Sequence, residues 1–239
     1  MADSLRPHQR IFVALDTTDL GRAVELAQGL KGSIGGVKIG KEFFTALGPE
    51  GVHRVCECGL PLFLDLKFHD IPNTVAGAIR ASLMLNPFMV NVHASGGRRM
   101  MQAAAKAAND ALPNKRPQVI GVTVLTSMAR EDLIDVGLDM EPLEQVLRLG
   151  RLAKASGLDG VVCSAKEVVA LRGSVGPNFT LVVPGIRPAW ASADDQRRVV
   201  TPRDAIDLGA DYLVIGRPIT EHADPAEAAR LIAEELANA

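Results

Sequence analysis

Three cysteines in 239 residues, Cys56, Cys58 and Cys163, are too few and the wrong parity for a disulfide framework. They point to a reducing compartment, and a cytoplasmic location is expected. The C-x-C of Cys56 and Cys58 has no further Cys or His pair nearby, so it reads as structural rather than as half of a metal site. No stretch approaches the roughly 18 consecutive apolar residues of a membrane span. Residues 1–10 are polar and carry no apolar signal-peptide core. Excess positive charge is missing as well: 26 Lys and Arg against 28 Asp and Glu leave a net charge of -2. That argues against a nucleic-acid partner, while a local basic patch for one phosphate remains open. There is no linker, no low-complexity segment and no repeat longer than one strand–helix unit. Residues 1–239 therefore read as one domain.

What the chain does have is alternation. Apolar runs at 11–15, 36–39, 62–66, 89–93, 119–125, 160–163, 181–184 and 212–215 read as strands. Between them lie amphipathic patterns, such as Leu20, Val24, Ala27 and Leu30 on one face and Val75, Ile79 and Leu83 on another. Thr201-Pro202, Asp224-Pro225 and the Ser164–Glu167 capping box supply helix start signals. Eight such units in this length fit an α/β protein of the (β/α)8 TIM-barrel class. The rival is an open doubly wound sheet, which normally carries a Gly-rich first loop. Here that loop is Asp16-Thr17-Thr18-Asp19, without G-x-G-x-x-G.

A barrel gathers function at the C-terminal ends of its strands. Those ends carry Asp16, Lys38, Asp65 with Lys67, His93, Thr126 with Ser127, Ser164, Arg187, and Gly216 with Arg217. The densest cluster is Asp65–Thr74. Alternation along a strand puts Phe63, Asp65 and Lys67 on one face, and Asp70 follows on the loop. An unpaired buried charge is costly, so this grouping suggests electrostatic and proton-transfer chemistry, or else a structural ion-pair network. Pro184-Gly185-Ile186-Arg187 and Gly216-Arg217-Pro218 read as a phosphate site, because glycine admits an anion to the backbone and Arg binds it bidentately. His93 reads as a hydrogen-bonded core histidine and His69 as a rim residue. Ser95-Gly96-Gly97 reads as a phosphate cradle or a tight turn, and Met100, Met101 and Ala104 as core.

The chain resembles the orotidine 5'-phosphate decarboxylase family in its bacterial form. The resemblance rests on Leu15-Asp16, the 37–41 stretch Val-Lys-Ile-Gly-Lys, the 63–74 block, Asn91-Val92-His93-Ala94, Leu125-Thr126-Ser127, the 184–188 stretch Pro-Gly-Ile-Arg-Pro, Asp195-Gln196 and Ile215-Gly216-Arg217-Pro218. It implies decarboxylation of orotidine 5'-monophosphate to UMP and CO2 in pyrimidine synthesis, with no metal and no organic cofactor. Asp65, Lys67 and Asp70 would surround the reacting carbon, with Lys38 beside them. Asp16 and Lys38 would hold the ribose, Thr126 and Ser127 the pyrimidine, and Pro184, Arg187, Gln196, Gly216 and Arg217 the phosphate end. The resemblance also implies substrate binding by Ile71, and a homodimer in which Asp70 and Thr74 serve the partner's site. The loop at 188–194 carries Trp190 and no glycine, where relatives often have Gly.

Three other activities share parts of this pattern. A Mg-dependent sugar-phosphate decarboxylase or aldolase uses a similar D-x-K-x-x-D motif, but such relatives place an acid where Lys38 stands. A Schiff-base aldolase would use Lys67. A non-catalytic nucleotide-binding protein would have no reason to crowd an acid against a substrate carboxylate.

Overall fold

The computed structural model describes residues 5–110, 116–191 and 200–237. Eight parallel strands close into a barrel in sequence order: β1 (Ile11–Ala14), β2 (Gly36–Gly40), β3 (Leu62–Phe68), β4 (Met89–His93), β5 (Gln118–Val122), β6 (Gly160–Val162), β7 (Thr180–Pro184) and β8 (Tyr212–Ile215). β8 pairs with β1, which leaves no open edge. The eight expected strands are all present. Two end more than one residue from expectation: β5 stops at Val122, and β3 runs on to Phe68.

Ten helices lie among the described residues: α1 (Leu20–Gly29), α2 (Lys41–Cys56), α3 (Pro72–Ser82), α4 (Gly97–Asn109), α5 (Arg130–Asp135), α6 (Pro142–Ala155), α7 (Val168–Val175), α8 (Pro202–Asp207), α9 (Arg217–Thr220) and α10 (Pro225–Ala237). The start signals act as expected: Thr201 accepts from the Asp204 N–H, and Asp224 accepts from the Glu227 N–H. Ser164 caps a short 3-10 turn that leads into α7. Another such turn, Ala94–Gly96, opens α4, in keeping with the turn reading of that stretch. Met100, Met101 and Ala104 of α4 are fully buried.

Inward positions recur every second residue along each strand. The lower layer is bulky: Phe12, Phe63, Met89, Ile120, Val182 and Tyr212 form one buried cluster. Phe12 stacks on Phe88 at 5.8 Å, and both rings meet Tyr212 edge-on. Two residues further up, the positions after Phe12, Ile120 and Tyr212 are Ala14, Val122 and Val214. Bulky residues therefore plug the bottom of the barrel, and smaller ones leave space at the C-terminal mouth.

Candidate active site

That space is a cavity of about 390 Å³, within the range of small-molecule sites. Its wall has three sectors. The loop after β1 supplies Asp16, and β2 and β3 supply Lys38, Asp65 and Lys67; β5 and β6, with the loop after β5, supply Val122, Val124, Leu125, Thr126 and Val162; the end of β7 and the residues that follow β7 and β8 supply Pro184, Gly185, Arg187, Gly216 and Arg217.

The charged sector is one connected chain. Lys38 Nζ lies 3.1 Å from Asp16 Oδ1 and 3.4 Å from Asp65 Oδ2, and Lys67 Nζ lies 2.6 Å from Asp65 Oδ1. Asp65 and Lys38 are buried and Lys67 is partly buried, whereas Asp16 is open to solvent. Coulombic attraction grows as water is excluded, so the inner links of this chain bind more strongly than the outer one. A Cβ at position 40 would meet Lys38 Nζ at 3.1 Å, so Gly40 leaves the ammonium its room.

Phe63, Asp65 and Lys67 all line the cavity, as strand alternation predicts. A different backbone geometry delivers Lys67, however. Its φ is +53°, in the left-handed region that side chains other than Gly seldom adopt, and the β3–β4 register shifts between Leu64 and Phe68. Asn91 of β4 lies opposite this irregularity, fully buried. Its Oδ1 accepts from the Lys67 N–H at 2.7 Å, and its Nδ2 donates to Asp65 Oδ1 at 2.6 Å. Two sequence signals mark Asn91, a polar residue inside an apolar strand and its place in the Asn91-Val92-His93-Ala94 stretch, and neither indicates its task.

In the cationic sector, Gly185 has φ +75°, a conformation that glycine adopts without strain. It turns the chain at the cavity, whose lining includes both the buried Ile186 and Arg187. Arg217 opens α9 directly after Gly216. Gln196 falls outside the described residues.

Four expected site residues do not line this cavity. Ser127 is exposed in the turn after β5, beside the lining residue Thr126. Asp70, Ile71 and Thr74 are exposed where the chain leaves β3 for α3, and Ile71 is 67% exposed. Asp70 Oδ1 accepts from the Ile71 N–H at 2.6 Å. The strand has ended by then, so nothing aims these side chains into the barrel. His93 also differs from expectation: it is half-buried and packs against the exposed His69, with ring centroids 5.4 Å apart. Burial lowers its pKa, helped by His69, Lys41 and Lys67. Ser164 is occupied in capping, as its sequence pattern indicated.

Comparison with known proteins agrees with this geometry. Residues 9–232 match the family described as "Orotidine 5'-phosphate decarboxylase / HUMPS family". An orotidine 5'-phosphate decarboxylase of Rhodospirillum rubrum is 56% identical over 230 residues, covering 95% of this chain and 93% of the relative. One from Pseudomonas fluorescens is 54% identical over 227 residues, covering 95% and 97%. A crystal structure titled orotidine 5'-phosphate decarboxylase from Lactobacillus acidophilus superposes with a TM-score of 0.84 at 36% identity, covering 95% of this chain and 98% of that one. With the match running through nearly the whole barrel and the Asp–Lys chain standing at its mouth, the protein belongs to the orotidine 5'-phosphate decarboxylase / HUMPS family.

Proposed function

We propose that this chain decarboxylates orotidine 5'-monophosphate to UMP and CO2, acting as a carboxy-lyase of pyrimidine synthesis. The observation that carries this reading is the linked set Asp16–Lys38–Asp65–Lys67 facing Arg187 and Arg217 across one cavity. A nucleotide has a phosphate at one end, a ribose in the middle and a base at the other. The cavity offers cations, hydroxyl-binding charges and a mixed apolar wall in matching sectors.

Loss of CO2 from C6 of the pyrimidine leaves an electron pair in an sp2 orbital that the ring does not delocalise. Enzymes remove ~8–23 kcal/mol from reaction barriers, and this step calls for the upper part of that range. One well-placed donor supplies about 2.7–4 kcal/mol. Lys67 therefore stabilises the developing carbanion and protonates it, and other groups supply the rest. Asp65 orients Lys67 and crowds the substrate carboxylate; Arg187, Gln196, Gly216 and Arg217 bind phosphate, with Pro184 beside them. Asp16 and Lys38 hold the ribose, and Thr126 the pyrimidine, with Ser127 in the turn beside it, outside the cavity lining. Binding energy from the phosphate end is then available to exclude water and fix the reacting end.

The same reading gives Asp70 and Thr74 to the neighbouring site of a homodimer. Their exposure at the start of α3 supports it, since no role in their own cavity competes. The whole of 1–239 acts as one catalytic domain, located in the cytoplasm. The chemistry of the acidic pair weighs against a metal-dependent sugar-phosphate reaction. The Lys38 ammonium lies within 3.4 Å of carboxylate oxygens of both Asp16 and Asp65, and a divalent cation between those acids would be repelled by it.

The test is loss of orotate absorbance when the purified chain meets orotidine 5'-monophosphate in excess EDTA. Rapid turnover supports the reading. No turnover, with Mg2+ restoring activity on a sugar phosphate, would overturn both the substrate and the role of Lys38.

A further inference from the structure

We infer that Asn91 is a positioning residue that sets the aim of both Asp65 and Lys67; the inference rests on the decarboxylase reading of this site. The β3–β4 ladder pairs Leu64 with Val90 and next pairs Phe68 with Val92. Four steps on β3 thus span two on β4, and residues 65–67 share the single residue Asn91 as their counterpart. A bulge of this kind breaks the ladder and leaves backbone groups to be satisfied by other means.

Asn91 satisfies two groups at once. The Lys67 N–H needs an acceptor, and the Asp65 carboxylate needs a donor. An amide offers one of each on adjacent atoms, so the donor–acceptor pattern fixes which end of the side chain points where. An ionised carboxylate at this position has no donor, and an aliphatic side chain has neither group. Asn91 is fully buried, so water does not substitute for it. The clamp also fastens the unusual Lys67 backbone, whose φ of +53° persists only where surroundings over-determine it. With its backbone fixed and its Asp65 partner fixed, the Lys67 ammonium has little freedom left. The other charges around the clamp are Lys38 on the second Asp65 oxygen and His93 two residues along β4.

The experiment compares the full-length native chain with N91A and N91D. Displacements of about 1 Å cost on the order of 10²-fold in rate, so kcat should fall by roughly that factor in N91A while UMP affinity stays within about threefold. N91D keeps the acceptor for the Lys67 N–H and loses the donor to Asp65 when ionised. Protonation restores the donor, and two adjacent carboxyls hold a proton to higher pH than one alone. The activity of N91D relative to native should therefore rise as pH is lowered from 9 to 6. Three results would each overturn the assignment: kcat within threefold of native in N91A or in N91D at pH 9, kcat and UMP affinity falling in parallel, or an N91D pH profile parallel to the native one. If N91A does not fold, the near-isosteric N91D profile decides alone. Amide exchange at Lys67, followed in native and N91A protein without substrate, separates the clamp from the reaction, because N91A removes the acceptor of the Lys67 N–H. Exchange at least tenfold faster in N91A supports the clamp even if the native chain proves inactive on orotidine 5'-monophosphate, and unchanged exchange removes it.

Discussion

At the N-terminal end of the barrel, Arg172 donates to the carbonyls of Gly176, Pro177, Phe179 and Gly209 and to Asp211 Oδ2. Asp211 in turn accepts from the Leu181 N–H at 2.7 Å. Arg116 and Asp159 repeat the device one pair of strands earlier, where Asp159 accepts from the Val119 N–H. At the C-terminal end, Lys38 and Lys67 meet carboxylates only; among the described residues, no hydrogen bond links either ammonium to a backbone carbonyl. The two ends use similar charges differently. A guanidinium whose two terminal nitrogens make five hydrogen bonds to protein acceptors is consumed by the fold, while an ammonium with three donors and one or two partners keeps capacity for a ligand. Buried charge alone does not mark a site; unspent hydrogen-bonding capacity facing a cavity does.

The sharpest way to break this comparison is to remove one charge from each end. Lys67→Ala should lower kcat by about 10⁴-fold or more, since it removes both an electrostatic donor and a proton donor. UMP affinity should change little and Tm by no more than a few degrees. Turnover within tenfold of native, measured under saturating substrate, would contradict the role of Lys67. Arg172→Ala should do the reverse. Removing one member of a largely buried ion pair strands Asp211 and several carbonyls, for an expected loss of about 3 kcal/mol in urea unfolding, with kcat of the folded fraction unchanged. A stable but inactive Arg172→Ala protein would erase the distinction between the two ends.

A finer test lies within the mouth itself. Arg217→Ala removes a charge-assisted bond worth about 1.5–3 kcal/mol, so affinity for UMP should drop roughly 10- to 100-fold. Affinity for uridine, which lacks the phosphate, should hold; an equal loss for both ligands, by titration calorimetry, would remove Arg217 from phosphate binding. The smallest expected effect concerns His93. Its pKa is lowered in the folded state, chiefly by burial, so the unfolded chain takes up the proton first as pH falls below the ordinary value near 6.5. Stability contributed by the neutral ring is complete above that value and is lost as pH falls toward the lower folded pKa. His93→Asn should accordingly lose less stability than native between pH 7 and pH 5. Parallel loss in the two proteins, by thermal melts across that range, would show that His93 is not a contributor.

Much of this was legible in the chain. Hydrophobic periodicity and cap residues gave the eight strands, their order and several helix starts, because burial and capping are local demands. Asp16, Lys38, Asp65, Lys67, Arg187 and Arg217 were legible as a site because polar residues followed apolar strands. The Arg172–Asp211 and Arg116–Asp159 pairs were not, since arginines and aspartates are common on surfaces and only the fold joins residues 39 and 43 positions apart.

The sequence by itself determined the barrel and which end of it would be polar, since strand period and strand-end chemistry are written in neighbouring residues. Only the tertiary structure decided how those residues act together. Closure of β8 on β1 brought Arg217 to the cavity that Asp16 lines. A register shift against β4, with Asn91 filling the gap, placed Lys67 beside Asp65 through a backbone conformation that no strand pattern predicts. Pairing register depends on contacts between segments far apart in the chain, and local pattern carries no record of it.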